Sequence, residues 1–382
     1  MKYCTKCLLP STKPDLSFNS FGVCSACTAY ESRAKVDWSA RSTQFASVMS
    51  QNSRDNQSNW DCIIPVSGGK DSTYQVIKIL ELGYKPLCVT ATTCDLSDIG
   101  RRNIENIKNL GVDYVEFSPN PVIRRKLNNI GLKIVGDISW PEHVAIFTIP
   151  VRAAVQYKIP LIIWGENSQN EYGGPALAQE APVLNRRWLE EFGGMLGLRV
   201  SDLSDAYGIS DRDLLPYTYP TDEELSRVGV TGLFLGYFFP WDGISNYLIS
   251  QAHGFESLGR TIEGSMVDYE NVDNYQAGIH DYFKYLKFGF GRATDLASNH
   301  IRRGRLTRSE GLSIVQNRDG MYPSSYLNKP LGEILNHINI TLAEFNDICD
   351  QFTNRELFKT KSNGDLVKDS NGKPMLINSF NV

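Results

Sequence analysis

From Asp61 onward the apolar residues come in short solid runs separated by stretches of helical spacing. DCIIPV (61–66), KPLCVTATT (85–93), DYVEFSP (113–119) and IPLIIWGEN (159–167) have strand length and little polar interruption. Between the first two, Val76, Ile79, Leu80 and Gly83 fall at 0, +3, +4 and +7. That spacing predicts a helix after SGGKDS (67–72), stopped by the glycine. IGRRNIENIKNLG (99–111) repeats the pattern. Residues 141–158 predict another helix, opening at Pro141 and kinked at its internal proline. Unbroken apolar strands alternating with helices indicate an α/β fold whose parallel sheet is covered on both faces. Ligands of such sheets bind at the carboxyl ends of the strands. Here those ends run into SGGKDS, TATTCDLSD, SPN and GENSQNEYGG, which should meet in one crevice.

The flanking regions read differently. Residues 1–30 are rich in turns and cysteine, and are too few to hold an apolar core without a staple. Residues 31–50 predict a helix with Val36, Phe45 and Val48 inward, followed by the polar linker SQNSRDNQSN (50–59). Residues 176–262 break the alternation. Their aromatic run LFLGYFFPWD (233–242) reads as a buried strand, and Thr221 with Glu224 as a capping box. Residues 274–290 return to helical spacing, and Thr307 with Glu310 and Thr341 with Glu344 open two more helices. The tail from Lys359 is polar.

Composition narrows the class. The 382 residues are 41% hydrophobic and 21% charged, enough apolar matter for a real core. The net charge of −4 argues against a nucleic-acid partner. No apolar run approaches the ~18 residues of a membrane span, and MKYCTKCLLP lacks the layout of a secretory signal, so a cytoplasmic location is expected. In a reducing compartment, cysteine pairs favour metal over disulfide. Cys4, Cys7, Cys24 and Cys27 give C-x2-C-x16-C-x2-C, the spacing of a structural four-thiolate Zn2+ site with no open position. Two unliganded pairs or a redox pair are the plainer alternative. Cys62 and Cys88, within strands, and Cys349, in a short helix, fit the core.

The most informative segment is Ser67-Gly68-Gly69-Lys70-Asp71-Ser72, between a buried strand and a helix. Glycine N–H groups at a helix start make an anion site. A carboxylate there, Asp71, makes sense beside phosphates if it holds Mg2+. The loop is neither G-x-x-x-x-G-K-[ST] nor G-x-G-x-x-G. It is similar to SGGxDS, the pyrophosphate loop of the PP-loop ATP pyrophosphatases, enzymes that split ATP between its α and β phosphates. Independently, residues 284–308 carry Lys284, Lys287, Arg292, Arg302, Arg303, Arg305 and Arg308 against Asp295 alone. His280, Lys284 and Lys287 share one helix face. Lys287 and Arg292 are the candidates for pyrophosphate or α-phosphate; a solvated basic face is the alternative.

The cysteine pairs, PVSGGKDS (65–72), CDLSDIGRRN (94–103), IPLIIWGENSQNEYGG (159–174) and HDYFKYLKFGFGRATDLASNHIRRGRLTRSEG (280–311) together resemble the N-acetyl sugar amidotransferases of bacterial surface-polysaccharide (LPS and O-antigen) biosynthesis. The resemblance implies conversion of an acetamido group on a nucleotide-sugar substrate to acetamidino, through an O-adenylyl imidate, with ATP. The ammonia would come from a partner glutaminase by way of a cyclase-like protein. It implies that Ser67, Gly68, Gly69, Asp71 and Ser72 hold the β and γ phosphates, with Asp71 near Mg2+. Val89, Thr90 and Ala91 would cradle adenine, Gly165 and Glu166 would lie by the adenosine or α-phosphate, and Glu171 would bind metal or orient the acetamido N–H.

The corresponding organisation is a zinc ribbon (1–36), a helix and linker (37–59), the PP-loop domain (60–175), an insertion shaping the substrate pocket (176–262), a basic helical part completing the active site (263–315) and a C-terminal helical region with its tail (316–382). The competing reading is a tRNA-modifying PP-loop enzyme of thiolase or lysidine synthetase type. The acidic balance disfavours it, and Cys94 alone is placed for a thiolase nucleophile.

Overall fold

The computed structural model describes residues 1–55, 58–167, 171, 173, 183–184, 196–370 and 372–377. Helices α1 (Ser25–Arg33) and α2 (Trp38–Asp55) lead into a sheet built from β1 (Cys62–Pro65), β2 (Pro86–Ala91), β3 (Asp113–Phe117), β4 (Leu161–Trp164), β5 (Val183–Leu184) and β6 (Thr231–Phe234). The strand order is β3-β2-β1-β4-β6-β5. The first five strands in that order pair in parallel, and β5 runs antiparallel on β6. The fold is thus α/β, as the apolar pattern predicts.

Alternate residues of each strand enter opposite layers, the two-residue period of a strand. Ile63, Leu87, Val89, Ile162 and Trp164 pack toward α5 (Pro121–Val135) and α6 (Trp140–Tyr157). Cys62, Ile64, Cys88, Leu161 and Ile163 pack toward Phe45 and Met49 of α2 and Tyr74, Val76 and Ile79 of α3 (Lys70–Glu81). Cys62 and Cys88 are therefore core residues.

Several expectations are corrected here. The linker expected at 50–59 is helical as far as Asp55. The segment 176–262 is more than an insertion, because its β6 pairs in register with β4, Trp164 opposite Phe234. The sheet therefore does not end at 175. The aromatic run contributes only its start to that strand; Leu235–Phe238 turn into a helical turn. Helix α5 was hidden because buried Arg124 and Asn128 interrupt its apolar stripe. Its local signals are clear in the structure: Asn120 Oδ1 accepts the Val122 N–H at 3.0 Å, Pro121 opens the helix, and Gly136 ends it left-handed. The helix expected at 141–158 is present as α6, with Pro150 inside it.

Beyond α4 (Asp98–Asn109) and the short α7 (Asp202–Tyr207) and α8 (Asp222–Val228), α9 (Gly243–Ala252) packs on α3. The rest of the chain is α10 (Ala277–Phe288), α11 (Arg292–Arg302), α12 (Arg308–Arg318), the small hairpin β7 (Ser325–Tyr326) and β8 (Lys329–Pro330), α13 (Leu331–Asn336) and α14 (Leu342–Phe352). Tyr282, Phe283, Leu286, Leu331, Ile334, Phe345 and Ile348 form a second core there. The three Thr/Glu capping boxes are all formed. Among the described residues no helix is long and apolar enough to cross a membrane.

Candidate functional site

The SGGKDS turn joins the carboxyl end of β1 to the first turn of α3. Gly68 has φ +89°, and a Cβ there would meet Ile104 N at 3.2 Å and Gly100 O at 3.3 Å. Only glycine allows both that backbone conformation and that approach to α4. Gly69 caps α3 without a side chain, leaving the helix N-terminus for an anion. The loop is braced from inside: Ser67 Oγ accepts the Gly69 N–H at 3.3 Å, and the Ser72 and Thr73 hydroxyls donate to Gly69 O at 3.0 Å.

A cleft of about 380 Å³ opens above the strand ends. Ser67, Asp71, Ser72, Val89, Thr90, Ala91, Gly165 and Glu166 all line it, the loop's Gly68 and Gly69 adjoining. Its apolar lining comprises Leu96, Ile104, Ile146, Phe147, Pro150, Trp164 and Phe234. Pro150 has no N–H for the Ile146 carbonyl, and both residues sit in this wall. Thr90 presents backbone and methyl group, since its hydroxyl donates to Val66 O at 2.6 Å. Gly165 is needed small: a Cβ would lie 3.1 Å from the Trp241 ring.

Behind the loop lies a second, smaller cavity of about 40 Å³ that shares Asp71 and Glu166 with the cleft. Its walls add Lys70, Glu171, Asp242, Glu270, His300, Arg303 and Arg305. Lys70 points inward, away from solvent: it is 4% exposed and ion-paired with Asp71 and, at 2.7 Å, with Glu270. Burial alone would lower its pKa, but these two carboxylates outweigh it and raise it. Asn246 Nδ2 donates to Asp71 Oδ1 at 2.8 Å. Burial, with Asp71 and Glu171 nearby, pushes the Glu166 carboxyl up to about 8.

The structure does not bring Lys287 and Arg292 to this crevice. Lys287 Nζ donates to Val135 O, Lys284 pairs with Asp295, and Arg292 pairs with Asp281 at 3.0 Å beside another hollow of about 60 Å³. The shared helix face is real, but His280 and Lys287 on it meet the end of α5 and the turn after it, and Lys284 meets Asp295 of α11. The basic residues that do reach the phosphate loop's neighbourhood are Arg303 and Arg305, both pairing with Asp242. Glu171 is buried, and its carboxylate is taken by Arg33 and, at 3.1 Å, by Arg303, so it is held as an ion pair and not as an open metal ligand. Asp242, Glu270 and Asn246 lack any sequence signal; they come from the end of the aromatic run, from the turn before α10, and from α9.

The four cysteines meet as their spacing requires. Cys4 and Cys27 sulfurs are 3.9 Å apart and those of Cys7 and Cys24 3.7 Å. Ligands about 2.3 Å from a tetrahedral zinc lie ~3.8 Å from one another. Backbone N–H groups of Lys6, Cys7 and Cys24 point at Cys4 Sγ within 3.5 Å. The residues present therefore fit a structural zinc ion. The ribbon docks on the later helices through Leu8 N to Ser298 Oγ at 3.2 Å and Arg308 Nε to Cys7 O at 3.2 Å. Arg302 carries that contact onward, with one guanidinium nitrogen 3.9 Å from Cys7 Sγ and another 2.9 Å from Glu171 O.

A mostly parallel sheet with an SGGxDS turn at its crevice, beside a four-cysteine ribbon, defines an α/β protein whose crevice offers an open helix N-terminus. Residues 263–370 match the family described as "LPS biosynthesis protein WbpG-like, C-terminal domain". That segment is similar to a domain of LPS biosynthesis proteins, in line with the family its motifs resemble. The structure is also similar to the solved structure of NMN synthetase from Francisella tularensis, over 50% of this chain and 92% of that one, at 16% sequence identity and a TM-score of 0.28. No curated protein matches the chain.

Proposed function

We propose that the protein is an ATP-dependent amidotransferase that turns an acetamido group of a nucleotide-activated sugar into an acetamidino group in LPS and O-antigen biosynthesis. The observation that carries the reading is the single cleft gathering the SGGKDS turn with the ends of β2 and β4, in a chain with a WbpG-like domain. The loop's N–H groups and the start of α3 would bind the β and γ phosphates. Ala91 and the apolar walls would take adenine. Asp71, still 35% exposed at its side chain although paired with Lys70, would with Glu166 hold Mg2+, which when bound would neutralise phosphate charge. The amide oxygen attacks the α-phosphorus and pyrophosphate leaves; ammonia adds to the imidate carbon and AMP departs. The protein's part is alignment and charge stabilisation. Ammonia would be delivered by a glutaminase and a cyclase-like partner.

The tRNA thiolase reading loses support at Cys94, whose thiol is pushed up to about 12, mainly by burial, away from thiolate. The test is mass spectrometry of acetamido nucleotide-sugars incubated with protein, ATP, Mg2+ and ammonium. The product is lighter by one mass unit, NH replacing O, and appears with AMP and pyrophosphate. AMP released only when tRNA is added would overturn the proposal.

A further inference from the structure

Away from the cleft's phosphate end, three side chains from separate elements converge. Asp137 lies in the turn between α5 and α6, His143 in the first turn of α6, and His280 in α10. His280 Nδ1 is 2.8 Å from Asp137 Oδ1, and His143 Nδ1 is 3.2 Å from Asp137 Oδ2. One ligand atom from each residue lies within 4.8 Å of the others. The two rings meet edge to face, centroids 5.0 Å apart. Ligands about 2.1 Å from one ion and roughly 90–110° apart are separated by ~3.0–3.4 Å, the scale of the two distances from Asp137 to the histidines.

A plain ion pair accounts for only half of this. His280 makes a hydrogen bond to the carboxylate. His143 Nδ1, shielded from solvent, faces the same carboxylate at 3.2 Å as a charge contact and makes no aligned hydrogen bond among the described residues. A ring nitrogen in that position costs stability as an unpaired group but serves as a ligand lone pair. The carboxylate is also steadied from behind, with Ser139 N donating to Oδ1 at 2.9 Å, as outer hydrogen bonds steady metal ligands. Nearby cations are engaged elsewhere, Arg292 with Asp281 and Lys287 with Val135 O.

We propose that Asp137, His143 and His280 form a second metal site, for a borderline divalent cation such as Zn2+, Mn2+ or Co2+, separate from the four cysteines. Two imidazoles and one carboxylate disfavour Mg2+ and Ca2+, which take oxygen ligands, and three protein ligands leave coordination positions open. Asp137 is 4% exposed at its side chain and the histidines 28% and 29%, so an ion enters from the histidine side. His143, Ile146 and Phe147 fall at 0, +3 and +4 on α6, and the last two line the cleft. The site thus stands about one helical turn, ~5.4 Å, from the nucleotide cavity, and it ties α6 to the domain of residues 263–370.

The test uses the full chain treated with EDTA, which strips an open nitrogen–oxygen site sooner than buried thiolates, and then titrated with Co2+. Wild type should take up one equivalent with visible d–d bands and no thiolate charge-transfer band, and its Tm should rise with Co2+ concentration. His143→Ala and His280→Ala should each weaken that binding by more than the ~10–100-fold that outer-shell changes cost, and lose the Tm rise. Wild type that takes up no Co2+ outside the thiolate site, or variants that bind as tightly as wild type, would overturn the proposal and leave an ion pair only. The wild-type titration decides the matter even where a variant fails to fold.

Discussion

Glu166 is the residue whose environment most exceeds what its sequence position announces. Among the described residues its carboxylate shares the wall between cleft and second cavity with Asp71, and its pKa is raised to about 8 from a usual 4.5. A folded-state pKa above the unfolded one means the native chain binds more protons, so stability falls as pH rises from about 4.5 to about 8. Glu166→Gln should therefore change Tm little at pH 4 and raise it increasingly toward pH 8–9, by ~1–3 kcal/mol of stability. Thermal melts of both proteins across pH check this, and parallel curves would refute it. The contrast with Lys287 is instructive. Its helix face was legible from spacing alone, but which surface that face meets depends on α5, whose buried Arg124 and Asn128 disguise it. Arg303 and Arg305 stood in the same basic segment, with nothing in the sequence to set them apart from Arg292. We expect Arg303→Met to cut AMP formation at least ~10-fold, since it removes one of the two cations held by each of Glu171 and Asp242, and Lys287→Met to leave kcat nearly unchanged. Steady-state assays of the two variants compare them directly.

At the scale of elements, strand runs, capping boxes and the loop were readable because each is a local pattern with one physical solution. The fifth parallel strand was not, since Thr231–Phe234 is short and its aromatic continuation turns helical. Contacts that are long-range in sequence were equally silent. Asp319 is the clearest: from the end of α12 it accepts the N–H groups of Gly291 and Ala293 at 2.7 and 3.0 Å and the Thr294 hydroxyl at 2.6 Å. It is a cap for α11 supplied from another element. Asp319→Ala leaves these buried donors unpaired and should cost ~2–4 kcal/mol, read by urea unfolding. The four-cysteine ribbon acts on the same helix through Arg302 and Ser298. Chelation strong enough to strip the thiolates should therefore loosen α11 and α12 along with residues 1–30, seen as lost hydrogen-exchange protection in both.

For the molecule as a whole, the decisive fact is that the phosphate loop is finished by the WbpG-like domain. Glu270, within residues 263–370, reaches the buried Lys70 at the first position of α3, and Tyr269 lies under the same ammonium, its ring centroid 5.9 Å away. Lys70 in turn holds Asp71, so the two domains share one chain of charge ending at the proposed Mg2+ carboxylates. Removing one carboxylate from a buried cation is costly even when the other remains, ~1–3 kcal/mol. It also lets Lys70 draw Asp71 further from the cleft. Glu270→Gln should accordingly lower Tm and raise the KM for ATP ~10-fold, with a smaller change in kcat, because ground-state nucleotide binding is what Asp71 would support. A change confined to Tm would make Glu270 a brace between domains and nothing more. A rise in KM reversed by adding Lys70→Met, which removes the stranded charge, would assign the effect to this relay and explain why the SGGKDS turn and the WbpG-like domain share one charge network.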